Sequence, residues 1–153
     1  MNRRAFLAAA AGASLTASAG CLRSIGFTRR GYVRSKTLTG FAADGEETRI
    51  IQVAVTGDGG INAQVAERHA GLFEDPKHPE ISGRARSVLQ NAYSSLRVEL
   101  TLCALDFPEC ETGTTGVSGF NQVQVYDAAE VFASRGGFSV LAVEDREDGA
   151  VWF

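Results

Sequence analysis

Residues 2–21 read NRRAFLAAAAGASLTASAGC, and how they are read decides which part of the chain has to fold. The apolar run from Ala5 to Gly20 is alanine-rich, broken by Gly12, Ser14, Thr16 and Ser18, and weaker than the roughly 20 strongly apolar residues a bilayer span requires. A core helix would carry a polar face at 3.6-residue spacing, and none is present. Arg3 and Arg4, the weakly apolar middle and the small residues at the end form the three-part pattern of an export signal, so residues 1–20 are set aside as a cleaved leader.

The arginine pair followed by Ala5, Phe6 and Leu7 resembles a twin-arginine (Tat) signal, and Ala17-Ser18-Ala19-Gly20-Cys21 resembles a lipobox, in which the cysteine becomes the lipid-carrying first residue. Ala17-Ser18-Ala19 is also an A-x-A site for ordinary signal peptidase, and that cut would leave Gly20 first. Cysteine parity favours lipid on Cys21, because it leaves Cys103 and Cys110 as one pair among the three cysteines. Only Lys36 and Lys77 are lysines among 15 basic residues. With that bias the leader resembles those of small exported lipoproteins of haloarchaea, an actinobacterial or proteobacterial source being the alternative. The resemblance covers residues 1–21 and implies an anchor on the outer face of the cytoplasmic membrane.

Removal of the leader leaves 133 residues, enough for one domain with its own core. We expect a lipidated basic tether over 21–31 and a single domain over 32–153. Arg23, Arg29, Arg30, Arg34 and Lys36 precede any acid of the mature chain, whereas Thr37 to Phe153 holds 8 basic and 18 acidic residues. The basic stem is expected to help hold the protein on an anionic membrane surface, with a solvated linker as the alternative. The acidic body argues against nucleic acid as a partner, since sequence-independent binding needs clustered cations.

Along the domain, 32–38 and 48–57 read as strands joined in a hairpin. Ile61, Val65, His69 and Leu72 have helical spacing, and Ser82 opens a second helix through Ala85, Val88, Leu89, Ala92 and Leu96. Val98, Leu100, Leu102 and Ala104 alternate as a strand. A loop follows over 108–119, then a strand over 120–126. Asp127 with Glu130 predicts a capping box and a third helix ending at Gly136 and Gly137. Residues 138–144 form an apolar strand, and 150–153 could close the sheet. The expected fold is α+β, a small single domain with a mixed, mainly antiparallel sheet and about three helices packed on one face.

The candidate chemistry is sparse. Cys103 and Cys110 are expected to form a disulfide in an exported protein, with a metal pair aided by Asp106, Glu109 and Glu111 as the alternative. Gly57, Asp58, Gly59 and Gly60 form a candidate ligand loop whose N–H groups could face an anion. Asn62 in the third glycine's place and the lack of Gly-Lys-Ser/Thr exclude the two nucleotide-binding motifs. His69 sits on an apolar stripe, and His78 lies between prolines. Gly116-Val117-Ser118-Gly119-Phe120 contains only part of a nucleophile elbow. Glu144, Asp145, Glu147 and Asp148 lack calcium-loop spacing and read as a solvated turn. No cofactor and no catalytic set is implied. The expected role is a lipid-anchored surface module for binding or envelope assembly. The alternative is a small exported enzyme, a metal-assisted hydrolase built on the Gly57–Gly60 and Cys110–Gly119 loops, which would require a pocket shared by His69, Asp58 and another carboxylate.

Overall fold

The computed structural model describes residues 26–104 and 109–144. Its chain forms seven strands: β1 (Phe27–Phe41), β2 (Glu47–Val55), β3 (Ile61–Val65), β4 (Ser95–Ala104), β5 (Cys110–Thr115), β6 (Ala128–Ser134) and β7 (Gly137–Glu144). Two helices, α1 (Gly83–Ala92) and α2 (Val117–Gln122), and a 3₁₀ turn over Glu67–Leu72 complete the described elements.

The expected α+β sheet with three packed helices is overturned. About 52% of the structure is strand and about 19% helix, and five strands close into a barrel. Closure depends on the length of β1. Its first half, Phe27 to Tyr32, pairs with β6, its second half from Ser35 pairs with β2 on the same edge, and β4 runs along its other edge. The barrel order is therefore β1-β4-β5-β7-β6 and back to β1, with β2 and β3 as an extension. Counted within the barrel alone, the order is 1-2-3-5-4 closing on 1. β2, β3 and α1 are inserted between its first two strands. The one parallel contact among the described residues, Thr114 beside Gly137, is the narrow seam. Gly113 is required there, because a Cβ would lie 2.7–2.8 Å from the Phe138 ring.

Two of the three expected helices are not formed. Thr56 N–H donates to Gly60 O at 2.9 Å and Gly59 N–H to Thr56 O at 3.0 Å, so Gly57–Gly60 is a hairpin turn rather than a helix entry. Gly59 takes φ +85°, which a side-chain-bearing residue rarely adopts. Ile61 to Val65 then pair with β2, and His69 falls in the 3₁₀ turn. At the second site Asp127 accepts from Gln124 N–H at 2.7 Å, which fixes a turn instead of capping a helix. Ala129, Val131 and Ala133 point into the barrel at two-residue spacing. Arg135 (φ 51°) and Gly136 (φ 77°) supply the two positive angles of a tight hairpin between β6 and β7. The expected 108–119 loop contains β5, and the expected 120–126 strand begins inside α2.

Other expectations hold. β1 and β2 form the antiparallel hairpin, and β4 and β7 are strands. Ser82 Oγ accepts from Ala85 N–H at 3.0 Å as the N-cap of α1. That helix stops at Ala92, and Tyr93 turns extended. The expected tether ends earlier than 31, since β1 begins at Phe27. The closing strand proposed for 150–153 lies outside the described residues.

Two apolar clusters hold the fold. Leu38, Ile51 and Val53 of the β1–β2 hairpin meet Ala85 and Leu89 of α1, together with Ile81 and Phe120. Val33, Leu100, Leu102, Val131 and Phe138 fill the barrel. Each fully buried aliphatic side chain stabilises by about 1.5–3 kcal/mol. Among the described residues no helix is long and apolar enough to cross a membrane.

Candidate functional site

The strongest polar feature is Lys36, which the sequence reading placed in a membrane-facing stem. In β1 it shares the inward face with Leu38, and no part of it is exposed. Its ammonium donates to the carbonyl oxygens of Pro79 (2.8 Å), Phe120 (2.9 Å) and Val123 (2.8 Å) and contacts Gln124 Oε1 at 3.0 Å. The Phe120 ring centre is 4.0 Å away. Burial pushes Lys36 down to about 7, against the opposing pull of Asp127 and Glu80. The arrangement joins β1, the proline linker and α2. An amine with no exposed surface, its contacts all made to the protein's own oxygens, is a structural tie rather than a reactive group.

Of the remaining stem residues, Arg29, Arg30 and Arg34 are described. Arg29 pairs with Glu111, and Arg30 with Glu144 at 2.6 Å. Arg34 is exposed at the irregularity between Val33 and Ser35. Arg3, Arg4, Cys21 and Arg23 lie outside the described residues, as do Asp145, Glu147 and Asp148. Glu144, expected in a solvated acidic turn, ends β7 as the partner of Arg30.

The candidate ligand loop is occupied by its own hydrogen bonds. Asp58 Oδ1 accepts from the Thr56 hydroxyl and from Gly60 N–H at 3.2 Å, and these bonds hold its carboxyl below the usual range. The Tyr126 hydroxyl donates to Gly59 O, tying the turn to the segment before β6.

Cys103 and Cys110 form a disulfide, directly paired across β4 and β5. The metal alternative for these cysteines is thereby removed. Among the described residues no group of three or more His, Cys, Asp or Glu side chains is placed to hold a metal ion.

Two histidine settings differ. His69 is buried, and its Nε2 lies 2.7 Å from the Tyr93 hydroxyl. Arg68 donates to that hydroxyl oxygen at 2.8 Å, so the Tyr93 proton is directed to Nε2 of a neutral imidazole. Burial, with Arg68 adding to it, lowers the His69 pKa. His78 instead lies in a cleft of about 550 Å³ between the 3₁₀ turn and α1, lined also by Leu72, Glu74, Asp75, Glu80, Ser82 and Arg84. Its Nδ1 is 2.8 Å from Asp75 Oδ2 and must donate, because a carboxylate only accepts. Asp75 also accepts from Lys77 N–H at 3.0 Å, and the two bonds lower its pKa. A second cleft of about 410 Å³ is lined by Arg86, Gln90, Tyr93, Leu96 and Thr115.

Neither cleft is lined by His69 or Asp58, so the pocket that the enzyme alternative requires is not formed in either. Sequence reasoning missed the Lys36 centre and the His78 cleft. The first left a signal, since Lys36 keeps two-residue phase with Leu38. The second left none beyond the Asp75-Pro76-Lys77-His78 turn.

No protein-family model, curated protein or solved structure matches the chain.

Proposed function

We propose that this protein is exported and held by a lipid on Cys21 at the outer face of the cytoplasmic membrane, where its barrel serves as a binding or envelope-assembly module. The carrying observation is the Cys103–Cys110 disulfide. It fits an oxidising compartment and leaves Cys21 as the one cysteine outside the pair. The twin-arginine-like Arg3 and Arg4 and the lipobox-like Ala17 to Cys21 support the same reading. So does the cleft beside α1, whose mixed Asp75, His78, Glu80 and Arg84 lining suits a small polar ligand or a partner's polar segment. The ligand contacts are hydrogen bonds and charge, with no metal or cofactor called on.

Intact mass of the mature protein tests the anchor. A mass for a chain beginning at lipid-modified Cys21, lost in Cys21→Ser, is the expected result. An unmodified chain beginning at Gly20 would overturn the proposal.

A further inference from the structure

The end of the barrel where β1 begins carries an exposed aromatic ring. Phe27 is 52% exposed, and Arg29 stands 5.5 Å from its ring centre. The other large exposed apolar side chains among the described residues are Val88 on α1 and Leu141 on β7, neither aromatic. The pairing of Gly31 with Ala104 sets the end of β4 beside the first half of β1. Phe27 pairs with Ala133, which pairs with Phe138, so the β6–β7 turn adjoins the same ring.

Two further facts select what covers this ring. Six Cα-to-Cα steps separate Cys21 from Phe27 and span at most about 20 Å when extended. A chain held by lipid at Cys21 therefore keeps Phe27 within that distance of the bilayer. Arg29 and Arg30 are engaged with Glu111 and Glu144, so these side chains meet a membrane surface as neutral pairs. The acidic excess of residues 37–153 would disfavour an unpaired carboxylate face against anionic lipid.

We infer that this end of the barrel rests on the membrane, with the Phe27 ring entering the interfacial layer as a second, apolar contact beside the lipid. The inference rests on the lipid-anchor reading above. A single acyl chain binds a bilayer only marginally, and an apolar side chain seated in the interface adds to it. The contact differs from the electrostatic stem expected from sequence, because Lys36 is buried and two of the arginines are paired.

The test uses the full-length chain, exported and purified as the mature protein, with Trp152 replaced by Phe so that one introduced tryptophan reports. Phe27→Trp and, as control, Val88→Trp are reconstituted into vesicles of dibrominated phosphatidylcholine with phosphatidylglycerol. Fluorescence of the Phe27→Trp protein should be quenched severalfold more than that of the Val88→Trp protein, and molar salt should change this little. Equal quenching in chains whose mass shows the lipid would overturn the membrane-facing end while leaving the anchor standing. A Phe27→Trp protein that self-associates in solution, with emission blue-shifted in the dimer and not in the monomer, would place a second protein copy on the ring and overturn it too. A chain without lipid on Cys21 would remove the anchor and this inference together.

Discussion

Lys36 Nζ stands 4.0 Å from the centre of the Phe120 ring and donates at 2.9 Å to the carbonyl oxygen of the same residue. Phe120 thus meets the cation with both its π face and its backbone, and neither residue has any exposed surface. This contact fixes α2 against β1 at the point where β1 passes from pairing β6 to pairing β2.

Removing this amine should therefore cost more than removing a surface lysine would. Lys36→Met leaves the Pro79, Phe120 and Val123 carbonyls without this donor, and each buried unsatisfied polar group costs about 1–3 kcal/mol. Denaturant unfolding at neutral pH should show a loss of about 3 kcal/mol or more. A variant as stable as the parent would mean that the carbonyls find other donors.

The same lysine makes stability depend on pH in a definite direction. Its folded pKa, about 7, is below its ordinary value of 10.5, so between these values the unfolded chain holds a proton that the folded chain releases. Stability from this group therefore rises as pH increases through that window, by at most about 1.4 kcal/mol per unit. The gap between the parent and Lys36→Met should widen from about pH 7 toward about pH 10. A narrowing gap would identify the charged ammonium as the stabilising form.

His69 acts in the acid range. Its pKa is lowered on folding by burial, so the unfolded chain takes up a proton first as pH falls through the ordinary value of 6.5. Stability should drop with acidification there, and His69→Gln should drop less over the same interval. Parallel pH profiles for the two proteins would remove His69 as the cause.

The disulfide supports the β4–β5 hairpin. Converting Cys103 and Cys110 together to Ala should lower stability by about 2–3 kcal/mol, the range for a small ring. Thermal unfolding of the double variant gives the loss directly. The intact parent should gain about two hydrogens in mass on reduction.

The parallel seam has its own test. Gly113→Ala places a methyl 2.7–2.8 Å from the Phe138 ring and should destabilise by about 1–3 kcal/mol through overpacking. Adding Phe138→Leu should recover part of that loss. Two independent, additive losses would show that the two sites do not meet.

Much of the sequence pattern carried through wherever the signal was local. Ser82 named the start of α1 because a side-chain oxygen can satisfy a free helix N–H only from that place. Val98, Leu100 and Leu102 named β4, and the cysteine pair named its own bond. The failures occurred where a local signal was degenerate. Ile61 and Val65 satisfy a helical period, yet they sit equally well on the half-buried β3. Asp127 and Glu130 have capping-box spacing, but the barrel gains more from placing Ala129, Val131 and Ala133 inside than from one turn of helix.

By itself, the sequence determined the β1–β2 hairpin, α1, β4, β7 and the pairing of two of its three cysteines. Those features depend on neighbours close along the chain. Only the tertiary structure decided that the sheet closes, because closure pairs Phe27 with Ala133, 106 residues away. It also decided that Lys36 is an interior tie rather than a surface charge. A lysine alternating along a strand has the same pattern on either face, and only the carbonyls of Pro79, Phe120 and Val123, brought from distant segments, make the inner face tolerable for its ammonium.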